Sequence, residues 1–180
     1  MKSDLKLLVV GSSAVDRARI CQAWDLAGMN FPIVEAESRA VAMAALDTQP
    51  FDCVLMSETL TDGNGLLLLE ALQRQVKCPG TVILMAEANQ RRAWDFLEAG
   101  AHDYLPHDAV TPEVLCHRVW NAVRMSQAVR AGRQVALQIE QVLDDNARLH
   151  QAVQEVEKIR NRVVMTCSIW SATCLPARTA

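Results

Sequence analysis

The feature that most constrains this chain is alternation. Short, continuous apolar runs give way, again and again, to stretches with helical spacing of apolar residues. LKLLVV (5–10) is followed by a helical pattern over 14–28, carried by Ala14, Ala18, Ile20, Cys21, Trp24 and Leu26. Asn30, Phe31 and Pro32 interrupt it. IVEA (33–36) reads as a strand, and Ser38 suits the cap of a helix over 39–48. DCVLM (52–56) reads as a strand, then comes a loop through Asp62, Gly63, Asn64 and Gly65, and a helix over 66–72. TVILMA (81–86), a helix over 89–99 and HDYLP (102–106) complete the alternation. Pro112 opens another helix at its first turn, where a missing N–H costs nothing. Strand–helix alternation of this length predicts a doubly wound α/β domain with a parallel five-stranded sheet covered on both faces. The strands are apolar throughout because both of their faces are buried. In such sheets the chemistry lies at the carboxyl ends of the strands, here just after Val10, Met56, Ala86 and Pro106.

Composition narrows the function. Hydrophobic residues make up 51% and aromatics only 4%, so the expected core is aliphatic. The net charge is −3 and no cluster of Lys and Arg appears, which argues against direct binding of nucleic acid. The six cysteines form no CxxC pair and no zinc-ligand spacing with a histidine. They read as reduced thiols of a cytoplasmic protein, with Cys53 a small core residue. No signal peptide and no run of membrane-spanning length is evident. No metal site, cofactor or catalytic residue is expected.

Three segments carry a resemblance. LLVVGSSAVDRARI, PFDCVLMSETLTDGNGLLLLEAL and LEAGAHDYLPH together resemble the receiver domain of bacterial response regulators, from about Leu5 to Met125. The resemblance implies a flavodoxin-like, CheY-like fold with sheet order 2-1-3-4-5, followed by a long helix. It implies a two-component phosphorelay role, with a phosphorylation pocket at the strand ends.

Each key position of that pocket departs from the family. Two acidic residues that hold magnesium should follow the first strand, and Gly11 and Ser12 stand there. Gly65 is the glycine that follows the acceptor, which puts the acceptor position at Ser57 and the usual proline at Thr61. The Thr or Ser that ends the fourth strand is Met85, and the lysine is His107. Magnesium prefers hard oxygen ligands including carboxylates, and phosphoryl transfer depends on the charge that such a cation neutralises. Gly11, Ser12, Ser57, Met85 and His107 therefore read as a degenerate pocket. Glu58 and Asp62 are the carboxylates nearest in sequence to the lost acceptor. Glu58 should face away from Ser57, while Asp62 on the loop has a route to the pocket. Tyr104, the aromatic of the fifth strand, is retained, and in the family its neighbourhood contacts partners. It reads either as an interaction face or as a half-buried strand residue.

After Thr111 no helix breaker occurs before Pro176 apart from Gly132, which suggests one long helix with a hinge at the glycine. From Val135 a heptad pattern sets in. Val135, Val142, Leu149, Val156 and Val163 occupy d; Ile139, Asn146, Val153 and Arg160 occupy a. β-Branched residues at a favour two parallel strands, and a single buried Asn146 fixes register. The expected organisation is a receiver-like domain over 1–125, a long helix and parallel dimeric coiled coil over 126–165, and an irregular tail over 166–180.

The expected function is signal transduction without phosphorylation. A second copy of the chain and a kinase or output regulator would be the partners. The alternatives are a regulator that accepts phosphate on an atypical residue and a sensor that binds a small ligand in the altered pocket.

Overall fold

The computed structural model describes residues 5–29, 31–75, 77–86 and 90–173, with side chains as far as residue 165, that of Gln90 excepted. Five parallel strands form the main sheet. They are β1 (Leu7–Val10), β2 (Ile33–Ala36), β3 (Cys53–Ser57), β6 (Gly80–Met85) and β7 (Asp103–Pro106), in the order β2-β1-β3-β6-β7. Between β3 and the next helix, β4 (Thr59–Leu60) and β5 (Gly63–Asn64) make a two-residue antiparallel pair. The helices are α1 (Ala14–Leu26), α2 (Arg39–Thr48), α3 (Gly65–Gln73), α4 (Gln90–Glu98) and α5 (Pro112–Thr173). This is the doubly wound sheet that the alternation predicts, in the strand order that the resemblance implies.

The two faces of the sheet divide the core. Leu8, Val10, Val54, Met56, Ile83 and Met85 pack toward Ala42 of α2, Leu68, Leu69 and Leu72 of α3, and Ala93 and Phe96 of α4. Leu7, Val9, Cys53, Leu55, Val82, Leu84 and Leu105 pack toward Ile20, Ala23 and Trp24 of α1 and toward Leu115, Val119, Ala122 and Val123 of α5. Strand residues of alternate parity thus serve opposite faces, as a pleated strand requires. Cys53 is fully buried, as expected of a core residue, and burial raises its thiol pKa far above the ordinary value.

Local signals set the helix starts. The Ser13 hydroxyl accepts the Asp16 amide at 3.2 Å, the Ser38 hydroxyl accepts Val41 at 3.3 Å, and the Asn64 carbonyl oxygen accepts Leu66 at 3.0 Å. α1 ends two residues before the expected position, and Gly28 follows with φ 71°, a left-handed conformation that glycine takes without strain.

The chain divides into two compact units, the first ending at Gly132 and the second beginning at Arg133. The first reaches past the expected boundary at 125 because Ser126 is still buried. In the second, every residue from 133 to 165 is exposed. The expected irregular tail is partly helical, since α5 continues to Thr173. From Glu113 to Thr173 no proline removes a backbone donor or clashes with the preceding turn, so the helix has no reason to stop before Thr173. Residues 174–180, with Cys174, lie outside the described residues, as does the side chain of Cys167.

Candidate functional site

The register of the sheet brings the altered positions together. Val10 lies beside Met56, Ser57 beside Leu84, and Met85 beside Pro106. Gly11, Ser57, Met85 and His107 therefore follow one another across the carboxyl ends of β1, β3, β6 and β7. Met85 is buried in the apolar layer beneath. A Cβ on Gly11 would come within 2.8 Å of the Ser57 hydroxyl oxygen, so glycine there lets the serine lean over the end of β1.

An arginine also occupies this corner. Arg17 of α1 is largely buried, with 14% of its side chain exposed. Its Nη1 donates to the Gly11 carbonyl at 2.6 Å and its Nε donates to Glu35 Oε2 at 3.0 Å. The Gly11 amide donates to the Ala36 carbonyl at 3.0 Å, which extends the β1–β2 ladder. His107 begins a short 3-10 turn (His107–Ala109), where its Nδ1 lies 3.8 Å from Asp16 Oδ1. Arg19 donates to the His107 carbonyl at 3.3 Å. Arg17 thus faces the carboxylate of Glu35, and His107 that of Asp16.

The two neighbouring carboxylates have structural partners of their own. Asp62 accepts the Arg39 and Ala40 amides at 2.8 and 2.9 Å, at the exposed amino end of α2. Those two amides hold its carboxyl below the usual carboxylate range. The expectation that Asp62 approaches the pocket is not met, because free amides of a helix start are a stronger attraction for a carboxylate. Glu58 leaves the sheet just after β3 and is 8% exposed. Its Oε1 accepts the Ala86 amide at 3.3 Å, and its Oε2 lies 3.1 Å from Nη1 of Arg92 on α4. Sequence reasoning missed this role. The signals were an acidic residue closing an apolar strand and a basic pair, Arg91 and Arg92, opening the helix that follows the next strand.

Tyr104 is half-buried on β7 and packs against the α2–α3–α4 layer. Its neighbour Asp103 faces the other way, where Arg118 of α5 donates to it at 2.9 and 3.0 Å. A cavity of about 670 Å3, lined in part by Lys6, Asp52, Lys77 and Arg130, lies at the opposite, amino-terminal ends of the strands. Among the described residues no helix is long and apolar enough to cross a membrane.

The family model described as response regulator receiver domain matches residues 8–119. This chain belongs to the response regulator receiver domain family. Acid tolerance regulatory protein ActR of Rhizobium meliloti is 29% identical over 112 residues, which are 62% of this chain and 57% of that protein. The chain therefore spans little more than half the length of the curated relative it matches. Among solved structures, a putative response regulator from Chloroflexus aurantiacus matches at 22% identity and TM-score 0.61, over 67% of this chain and 98% of that one. Chemotaxis response regulator CheY4 of Vibrio cholerae matches at 20% identity and TM-score 0.58, over 66% and 98%. A fusion that carries the yeast Spc42 trimeric coiled coil matches at 22% identity and TM-score 0.63, over 90% and 99%. At these identities the structures speak for the fold. Family membership makes signal transduction the role of this receiver, which is a class of domain that generally signals rather than catalyses.

Proposed function

We propose that this receiver signals without taking a phosphoryl group, by binding partners and by self-association through the helix beyond Gly132. The observation that carries the reading is the corner around Gly11, Ser57 and Arg17. The oxygen donors there are serine hydroxyls and a carbonyl already bound to a guanidinium. That set does not fit magnesium, which seeks several hard oxygens and at least one carboxylate, and is repelled by a fixed cation. A serine hydroxyl in place of the acceptor carboxylate would need a general base, and the near carboxylates are engaged with α2 and with Arg92. Gly11, Ser12, Ser57, Met85 and His107 thus form a degenerate pocket.

The same geometry weighs against the other two readings. An atypical acceptor at Glu58 or Asp62 would first have to give up its present partners. A small anion near Gly11 and His107 would meet a spent amide and the facing carboxylate of Asp16.

Val135, Ile139, Val142, Asn146, Leu149, Val153, Val156 and Val163 form the exposed seam of a parallel homodimer in this reading. A cytoplasmic kinase or output regulator is the second partner, and Tyr104 marks the face it would meet. Incubation with acetyl phosphate and magnesium, followed by intact mass, tests the first half of the proposal. The unmodified mass is expected. A stable phosphoryl adduct on Ser57, Glu58 or Asp62 would overturn it.

A further inference from the structure

The carboxylate of Glu58 is a buried acid beside the altered pocket whose contacts reach across to a different helix. Its backbone is fixed on both sides. The Glu58 amide donates to the Leu84 carbonyl at 3.0 Å, and its carbonyl accepts the Gly65 amide at 2.9 Å. Gly65 has no room for a side chain, since a Cβ would lie 2.5 Å from the Ser57 carbonyl oxygen. The side chain thus leaves a rigid base. It ends between the Ala86 amide, the first beyond β6, and Arg92 in the first turn of α4. One carboxylate therefore holds the chain on both sides of the connection from β6 to α4.

α4 needs such an anchor. Its buried apolar residues are Ala93 and Phe96, with Leu97 partly covered, and Trp94 on the same helix is 59% exposed. α3, by contrast, sinks Leu68, Leu69 and Leu72 completely. Few buried contacts make an element prone to local opening. A buried carboxylate whose partner is removed keeps its desolvation cost, so the pair resists separation more strongly than its exposed guanidinium suggests.

We infer that Glu58 is a positioning residue: its carboxylate ties the end of β3 to α4 and fixes α4 in one position with no phosphoryl group. The inference rests on the reading of the pocket as degenerate, because it supplies from within the chain a carboxylate contact at the sheet's carboxyl end. The tie makes the α4 surface constitutive, and a partner that reads it would meet the same surface at all times.

Hydrogen exchange read by mass spectrometry on the full chain tests this. E58Q and R92Q should each speed exchange of the α4 amides by about tenfold or more, while peptides of β1 and β3 exchange as in the parent. The E58Q/R92Q double variant should be no faster than either single one, since both remove the same contact. R92K, which keeps the charge, should restore most of the protection. Unchanged α4 exchange, additive effects of the two substitutions, or an equal rise in every strand would each overturn the inference. A phosphoryl adduct in the intact-mass experiment would sink the degenerate pocket and leave this exchange result standing, so the two failures are distinguishable.

Discussion

Valine and leucine do opposite things in the two units of this chain. In the sheet unit most of them are covered, and Leu72 and Val54 are fully buried. In the helix from 133 to 165 they stand in water: Val142 is 57% exposed and Leu149 63%. Burial of a Val or Leu side chain is worth roughly 1.5 to 3 kcal/mol, so the sheet unit collects that energy within one chain. The helical unit leaves the same energy uncollected. Repetition of its apolar residues at heptad spacing points to a second copy as the means of collecting it. One unit is thus specified by its own contacts, and the other, in the reading proposed above, by an assembly.

The strongest way to break this contrast is to replace one leucine in each unit. Leu72→Ala should cost about 2 to 5 kcal/mol of unfolding free energy, seen in chemical denaturation at any protein concentration. Leu149→Asp should leave the sheet unit's unfolding unchanged. It should weaken self-association by about a hundredfold or more in sedimentation equilibrium, because it puts an unpaired charge into the seam. If Leu149→Asp instead destabilises the dilute protein as Leu72→Ala does, the seam belongs to one chain. Asn146→Val sharpens the account. Association should tighten by about tenfold, and stoichiometry should broaden from two chains to a mixture that includes three, since the polar layer trades affinity for a defined number of strands.

A smaller effect is confined to the sheet unit and appears with pH. Burial, and then the charge of Arg130, lowers the pKa of His102 below its ordinary 6.5. Its Nδ1 accepts the Thr81 amide at 3.2 Å, a bond that only the unprotonated nitrogen can make. The folded state therefore binds the proton less readily than the unfolded one. The stabilisation is intact above pH 6.5 and is lost as the pH falls through the lowered value. The thermal midpoint of the parent should drop across that range, and His102→Gln should show less of the drop. The smallest change is expected at Gly132, where an added Cβ meets nothing within 4 Å. Gly132→Ala should stabilise the helix by about 0.5 to 1 kcal/mol, visible as a small rise in helical signal and no change in the sheet.

Much of the fold was legible in the residues because local signals agreed with it. β2 and α2 begin and end where Pro32, Ser38 and the apolar spacing place them. The β4–β5 pair was not, since two residues a side carry no periodicity. The pocket positions were found through the spacing of Gly65 and Met85 to their neighbours, and the parallel register does gather them. What surrounds them depends on long-range partners that spacing does not encode. Arg17 reaches the Gly11 carbonyl from α1, and Asp62 turns to the amides of α2. Alternation along β3 separates Glu58 from Ser57, but spacing does not encode the partner that Glu58 meets, Arg92 on α4.

Sedimentation equilibrium of the full chain, with and without acetyl phosphate and magnesium, tests the whole account in one measurement. The same dimer, with the same dissociation constant in both conditions, is the predicted result. A monomer that dimerises only when both reagents are present would contradict it.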